Sequence, residues 1–158
     1  MILVYVNSSN GLSKAALETV TYAKKLGNEV VVLTNGKASS ESLTCLGDYG
    51  ATKVLVDRMV DGEDSQQLTR LISAVVQNIG AKTVIFSHDL IGKAVAPRLS
   101  VRLQAGLIAG AISIPDTDGA VKVNVFSGKA IGNVKVSSAI KIISLLPNSI
   151  QPEKTGTN

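Results

Sequence analysis

Nothing limits the possible folds of this chain more than an alternation of two textures along its first half. Short, unbroken apolar runs rich in β-branched residues take turns with longer segments whose apolar residues recur at helical spacing. Ile2-Leu3-Val4-Tyr5-Val6 opens the series, followed by the turn-forming Asn7-Ser8-Ser9-Asn10-Gly11. An unbroken run of this kind predicts a strand covered on both faces, because a strand with one wet face alternates apolar and polar residues instead. From Leu12 to Leu26 the apolar residues Leu12, Ala15, Ala16, Val20, Ala23 and Leu26 predict a helix capped by Ser13 and ended by Gly27. Glu29 to Thr34 predicts the next strand, closing on Asn35-Gly36.

The series continues with a short helix around Glu41 to Leu46, a strand Lys53 to Val56, a helix Ser65 to Ile79 and a strand Thr83 to Phe86. In the long helix Leu68, Leu71, Ile72, Val75, Val76 and Ile79 form one stripe, while Gln66, Gln67, Arg70 and Gln77 lie mainly off it. Strands joined by helices must be parallel and their crossovers right-handed, so the expected fold class is α/β, a three-layer open sheet, mostly parallel, with helices on both faces. Ligands of such sheets sit at the carboxyl ends of the strands.

A further helix is expected from Ile91 to Leu103, with Pro97 in its first turn or at a kink. Beyond it only short strands are predicted, at Ala111 to Ile114, Val121 to Phe126, Asn133 to Val136 and Ala139 to Leu145, with a turn at Asp116-Thr117-Asp118-Gly119. Strict alternation in Val121-Lys122-Val123-Asn124-Val125 implies a half-wet strand with an antiparallel partner. This second part is expected to cap the sheet. One domain over residues 1–147 follows, with residues 148–158 as a tail or the start of a linker; Gln151 to Asn158 carry no Leu, Ile, Val, Phe or Tyr.

Composition excludes several function classes. Aromatic residues make up 3% of the 158 and the net charge is only +4, which leaves almost no platform for stacking bases and argues against nucleic-acid binding. No apolar run approaches the ~20 residues of a membrane span, and no basic leader precedes the first strand. A cytoplasmic location is expected for a bacterial chain, and the mitochondrial matrix for a eukaryotic one. The single Cys45 permits no internal disulfide and reads as a small buried hydrophobe.

Motifs for chemistry are sparse. Neither G-x-G-x-x-G nor G-x-x-x-x-G-K-[ST] follows any strand, and no nucleophile elbow occurs. His88 and Cys45 are singletons, so no metal set forms, and His88 reads as a structural or solvated residue. No catalytic residue is marked. The segment Ser87 to Arg102 is the exception, running from a strand end into a helix. Ser87, Gly92 and Lys93 either form an anion or cofactor site at the helix start or make a plain turn. Arg98 and Arg102, four apart on one face, form either a basic stripe for a protein partner or a solvated side.

Around this segment the chain resembles the N-terminal domain of the electron transfer flavoprotein alpha subunit. The family's strand, Gly-Lys loop and Ala-Pro-Arg-Leu helix are matched by Ser87 to Gly92-Lys93, Ala96-Pro97-Arg98-Leu99-Ser100 and Arg102-Leu103-Gln104-Ala105-Gly106-Leu107. Leu17-Glu18 with Ala23-Lys24, Gly50-Ala51-Thr52-Lys53-Val54 and Phe126-Ser127-Gly128-Lys129-Ala130 are similar to further family stretches, so the resemblance covers Met1 to about Pro147. It implies a Rossmann-like sheet of the adenine nucleotide alpha hydrolase-like type. It also implies a subunit that pairs with a beta subunit and takes electrons from dehydrogenases onto FAD for a quinone-linked or other acceptor.

In the family the FAD is held mainly by a second domain with Gly-Arg-Gly and Gln-x-Gly-Gln-Thr-Gly motifs, and neither occurs here. The expectation is therefore a first domain of a longer subunit, expressed alone or cut. It would serve as scaffold and would not hold FAD by itself; AMP would belong to the partner subunit. The family's Thr-x-Arg-Pro is replaced by Ser144-Leu145-Leu146-Pro147, so any role of that Arg does not transfer. A rival reading from a related sheet is a stand-alone AMP- or ATP-binding module of the universal-stress type. Its Gly-x-x-Gly phosphate loop is missing, since Gly92 has neither the second Gly nor the Ser partner.

Overall fold

The computed structural model describes residues 1–9, 11–27, 29–36 and 38–155. Asn10 of the expected first turn and the last three residues of the expected tail lie outside these. Eight strands and four α-helices follow in the order β1 (Ile2–Asn7), α1 (Lys14–Leu26), β2 (Val30–Asn35), α2 (Ser40–Asp48), β3 (Lys53–Asp57), α3 (Ser65–Ile79), β4 (Thr83–Ser87), α4 (Leu90–Leu103), β5 (Gly106–Ala111), β6 (Val121–Val125), β7 (Ala130–Val134) and β8 (Lys141–Leu145). They form one sheet of order β3-β2-β1-β4-β8-β5-β6-β7, with β3 through β5 parallel along that order and β6 and β7 antiparallel.

Period-two packing explains the unbroken apolar runs. Ile2, Val4 and Val6 of β1 pack with Ala16, Val20 and Ala23 of α1, while Leu3 and Tyr5 face the layer that holds Leu68, Ile72 and Val76 of α3 and Val95, Ala96 and Leu99 of α4. Both faces of the central strands are thus dry, as the runs required. The stripe of α3 meets the sheet as expected, and full burial of each such side chain contributes about 1.5 to 3 kcal/mol. Ser13 Oγ accepts from the Ala16 amide at 3.2 Å and caps α1, and the Gly27 amide closes the helix on Ala23.

The second half differs from the expectation. It does not merely cap the sheet, because β8 inserts between β4 and β5 as a central parallel strand. The strand expected at Ala111 to Ile114 is displaced to Gly106–Ala111. Its small residues resemble a loop in sequence, yet they suit a strand that is crossed closely. A Cβ on Gly106 would fall 2.0 Å from Val136 Cγ1. The strand expected at Asn133 to Val136 begins earlier, at Ala130, across a 3-10 turn, Phe126–Gly128, from β6. β6 pairs antiparallel with both neighbours, as its alternation required.

Three local details refine the expectation. Pro97 sits inside α4, on its exposed side. There its ring nitrogen leaves the Lys93 carbonyl without an i+4 amide donor. α2 is longer than its apolar core, and Leu46 is its buried residue, so Cys45 is half-buried where burial was expected. Residues 151–155 are largely exposed but lie against α1 and α2: the Glu153 amide donates to Thr21 Oγ1 at 3.1 Å, the Thr155 amide to the Asp48 carbonyl at 2.7 Å.

Candidate functional site

The order of the sheet fixes where a ligand would be sought. The chain moves from β1 outward to β2 and β3, then returns to β4 on the other side of β1, so the helices diverge at the carboxyl ends of β1 and β4. A cavity of about 30 Å³ lies at this point, lined among others by Tyr5, Asn7, Ser13, Ser87, Asp89 and Gly92. Its floor is stiffened by a buried polar network: Tyr5 OH donates to Asn35 Oδ1 at 2.8 Å, Thr34 Oγ1 donates to Ser8 Oγ at 2.7 Å, and Ser8 Oγ donates to the Asn35 carbonyl. Burial, reinforced by the Asp89 charge, holds the Tyr5 phenol protonated far above its ordinary range.

Ser87 and Gly92 are brought together here. A Cβ on Gly92 would stand 1.8 Å from the Ser87 carbonyl oxygen, so the first turn of α4 can lie against the end of β4 only as glycine. Ser87 Oγ is shielded from solvent and has no hydrogen-bond partner among the described residues. Lys93 lies outside the cavity, exposed on α4. The helix start is already occupied by its own carboxylate: Asp89 Oδ1 accepts from the Gly92 amide at 2.9 Å. A wider groove of about 530 Å³ continues outward past Asn7, Glu63, Ser65, Asp89, Leu90 and Ala94, so two carboxylates stand on its walls. Sequence reading passed over Asp89 and Glu63 in this role; the Asp at the helix's N-cap position was the available signal.

His88 is anchored at the same end of the sheet. Its Nδ1 lies 2.8 Å from Ser144 Oγ, and Ser144 Oγ accepts from the Gly110 amide at 3.2 Å; a Cβ on Gly110 would meet the imidazole ring at 3.6 Å. Burial lowers the imidazole pKa, the Lys93 charge lowers it further, and Asp89 opposes both. Ser144 is a buried link between β8, β5 and the residue that follows β4.

Arg98 and Arg102 are both exposed and line a cleft of about 160 Å³ between α3 and α4 with Gln66, Thr69 and Arg70. The third guanidinium, Arg70, was not singled out by the sequence, since it lies 28 positions before Arg98 on another helix. Among the described residues the ion pairs are Lys14–Glu18, Lys25–Glu153 and Lys154–Asp48, so none neutralises these arginines. Also among the described residues, no group of three or more His, Cys, Asp or Glu could hold a metal, and no helix is long and apolar enough to cross a membrane.

Sheet order, crossovers and the position of the crevice define a doubly wound, Rossmann-like α/β domain. The chain belongs to the electron transfer flavoprotein domain family, which matches residues 2–158. It is similar to the electron transfer flavoprotein subunit alpha of Bacillus subtilis, 32% identical over 114 residues that make up 70% of this chain and 35% of that protein. The subunit alpha of Pseudomonas aeruginosa is 29% identical over 91% of this chain and 47% of its own length. A probable mitochondrial subunit alpha of Caenorhabditis elegans is 24% identical over 98% of this chain and 47% of its own length. The chain thus spans less than half the length of these relatives and corresponds to their N-terminal part.

Proposed function

We propose that this chain acts as the N-terminal scaffold domain of an electron transfer flavoprotein alpha subunit. In this reading it packs against a beta subunit and supports FAD-mediated electron transfer from dehydrogenases to a quinone-linked or other acceptor, without bond-making residues of its own. The family match across residues 2–158 carries the reading. Arg98 and Arg102 are the partner contacts it favours, being exposed cations without carboxylate partners among the described residues. The working location is the cytoplasm in a bacterium or the mitochondrial matrix in a eukaryote.

The residues present do not fit FAD. A cavity of about 30 Å³ holds roughly one water molecule, and the wider groove beside it presents Glu63 and Asp89 where a dinucleotide would bring its phosphates. The same two observations disfavour AMP or ATP in the universal-stress manner, where phosphates meet a helix start free of carboxylates. In this reading FAD is held mainly by the remainder of the complex, and any AMP by the beta subunit.

The test is calorimetric titration of the 158-residue chain with FAD, AMP and ATP, followed by co-purification with the beta subunit of the source organism. No heat with any nucleotide and a stable one-to-one complex are expected. Tight AMP or ATP binding would overturn the scaffold reading and make Ser87, Gly92 and Lys93 the residues to substitute. Failure to form the complex would overturn the assignment of the partner.

A further inference from the structure

Helix α4 carries two apolar faces. Gly92, Val95, Ala96 and Leu99 are buried against the sheet. Leu90, Ala94, Pro97 and Val101 are exposed, Leu90 at 85% and Val101 at 80%. At 3.6 residues per turn these four fall within about 60° of arc, roughly opposite the buried face. Most helices on a sheet are polar on that side, and the apolar stripe here is left uncovered among the described residues. Its spacing of four, three and four residues reads the same in both directions. A stripe of that symmetry matches a copy of itself laid antiparallel, with Leu90 meeting Val101 and Ala94 meeting Pro97.

Charge follows the same symmetry. At the amino end of α4, Glu63 and Asp89 border the stripe on the side of α3. At the carboxyl end Arg70, Arg98 and Arg102 border it on that same side. A two-fold axis passing between the two copies, level with the middle of α4 and normal to the plane of the antiparallel helices, returns each flank to itself with its ends exchanged. The acidic end of one copy then faces the arginines of the other. A parallel two-fold arrangement would exchange the flanks, so the acids and arginines of one copy would lie away from those of the other and gain nothing from each other.

We propose that the outer face of α4 is a self-association surface, on which a second copy of this chain docks antiparallel through Leu90, Ala94, Pro97 and Val101, with Glu63 and Asp89 opposite the partner copy's arginines. One helix face is a small interface, so the dimer belongs to the weak, exchanging class. The beta-subunit contact proposed above also uses Arg98 and Arg102, but self-association is read on the chain alone and stands or falls separately.

Sedimentation equilibrium of the full chain, on the order of 10 to 500 µM, is the test. A reversible monomer–dimer equilibrium is expected, weakened at least tenfold by Val101→Glu and by Arg98→Glu, with melting temperatures unchanged because both side chains are exposed. Adding Glu63→Arg to Arg98→Glu should restore association to within about threefold of the original, since a charge swap rebuilds both symmetric contacts at once. A monomer at every concentration overturns the proposal. Association unaffected by Val101→Glu, or a charge swap that fails to restore it, overturns this face and this orientation respectively.

Discussion

Replacing Gly92 by Ala should reverse the sign that helix propensity predicts. In an unconstrained helix interior, Ala in place of Gly stabilises by about 1 kcal/mol, because glycine has more backbone freedom to lose on folding. At Gly92 the added Cβ would stand 1.8 Å from the Ser87 carbonyl oxygen and 3.4 Å from Phe86 Cβ. Ordinary carbon–oxygen contact lies well above 3 Å, so the start of α4 and the end of β4 must separate by more than an ångström, and neither is a flexible side chain. Overpacking costs about 1 to 3 kcal/mol, and an overlap this deep with backbone belongs to the upper part, about 2 to 3 kcal/mol, from which the propensity gain of about 1 kcal/mol is subtracted. A net loss of about 1 to 2 kcal/mol is expected, which lowers the melting temperature of a domain this size by roughly 2 to 8 °C. Gly47, near the end of α2, is the matched control, since nothing lies within 4 Å of its virtual Cβ and Gly47→Ala should raise stability. Urea denaturation of the two variants beside the parent chain decides the matter. If Gly92→Ala is as stable as the parent, or moves with Gly47→Ala, the close approach of α4 to β4 is not what keeps glycine there.

Other expectations follow from single contacts. Gly106→Ala should destabilise the chain by about 1 to 3 kcal/mol through Val136, and Gly106→Ala/Val136→Ala should recover part of the loss, measured as a double-mutant cycle. His88 has a lowered folded-state pKa, so the unfolded chain binds the proton first and stability falls as pH drops below about 6.5; the loss should shrink in His88→Asn when urea midpoints are compared between pH 7.5 and pH 5.5. Glu18, buried on α1, accepts from the Asn148 amide at 2.9 Å and meets Lys14 Nζ at 3.5 Å, so Glu18→Ala should cost about 2 kcal/mol and loosen amide exchange around Asn148.

Most of the first half was legible in the sequence because its geometry is local. Strands with two dry faces announce themselves as unbroken apolar runs, α1 by stripe and cap, and α3 by its stripe; these signals lie within a dozen residues or so. β5 was misplaced because its glycines serve a long-range purpose, close passage of Val136 over Gly106, that no local window contains. The insertion of β8 between β4 and β5 is likewise invisible to periodicity, which reports which faces are covered but not by what. At the candidate site, Arg98 and Arg102 were visible because four residues make one helical turn. Arg70 joins them only through the packing of α3 on α4. The cap at Asp89 was spelled out locally, yet its consequence, a carboxylate standing where a phosphate would approach, needed the groove to be seen.

The place of β8 bears on how a ribosome delivers this domain. β4 is complete at Ser87, but its neighbour on the far side, β8, is not made until about sixty residues later. During synthesis the nascent half-sheet therefore waits for several seconds, at typical elongation rates, with the edge of an apolar strand unpaired. β5, β6 and β7 emerge meanwhile and can pair among themselves, but within the sheet they join the first half only through the strand that arrives last. The two halves thus close as one late step, and a chain stopped anywhere before Leu145 exposes an edge that invites pairing with another nascent chain.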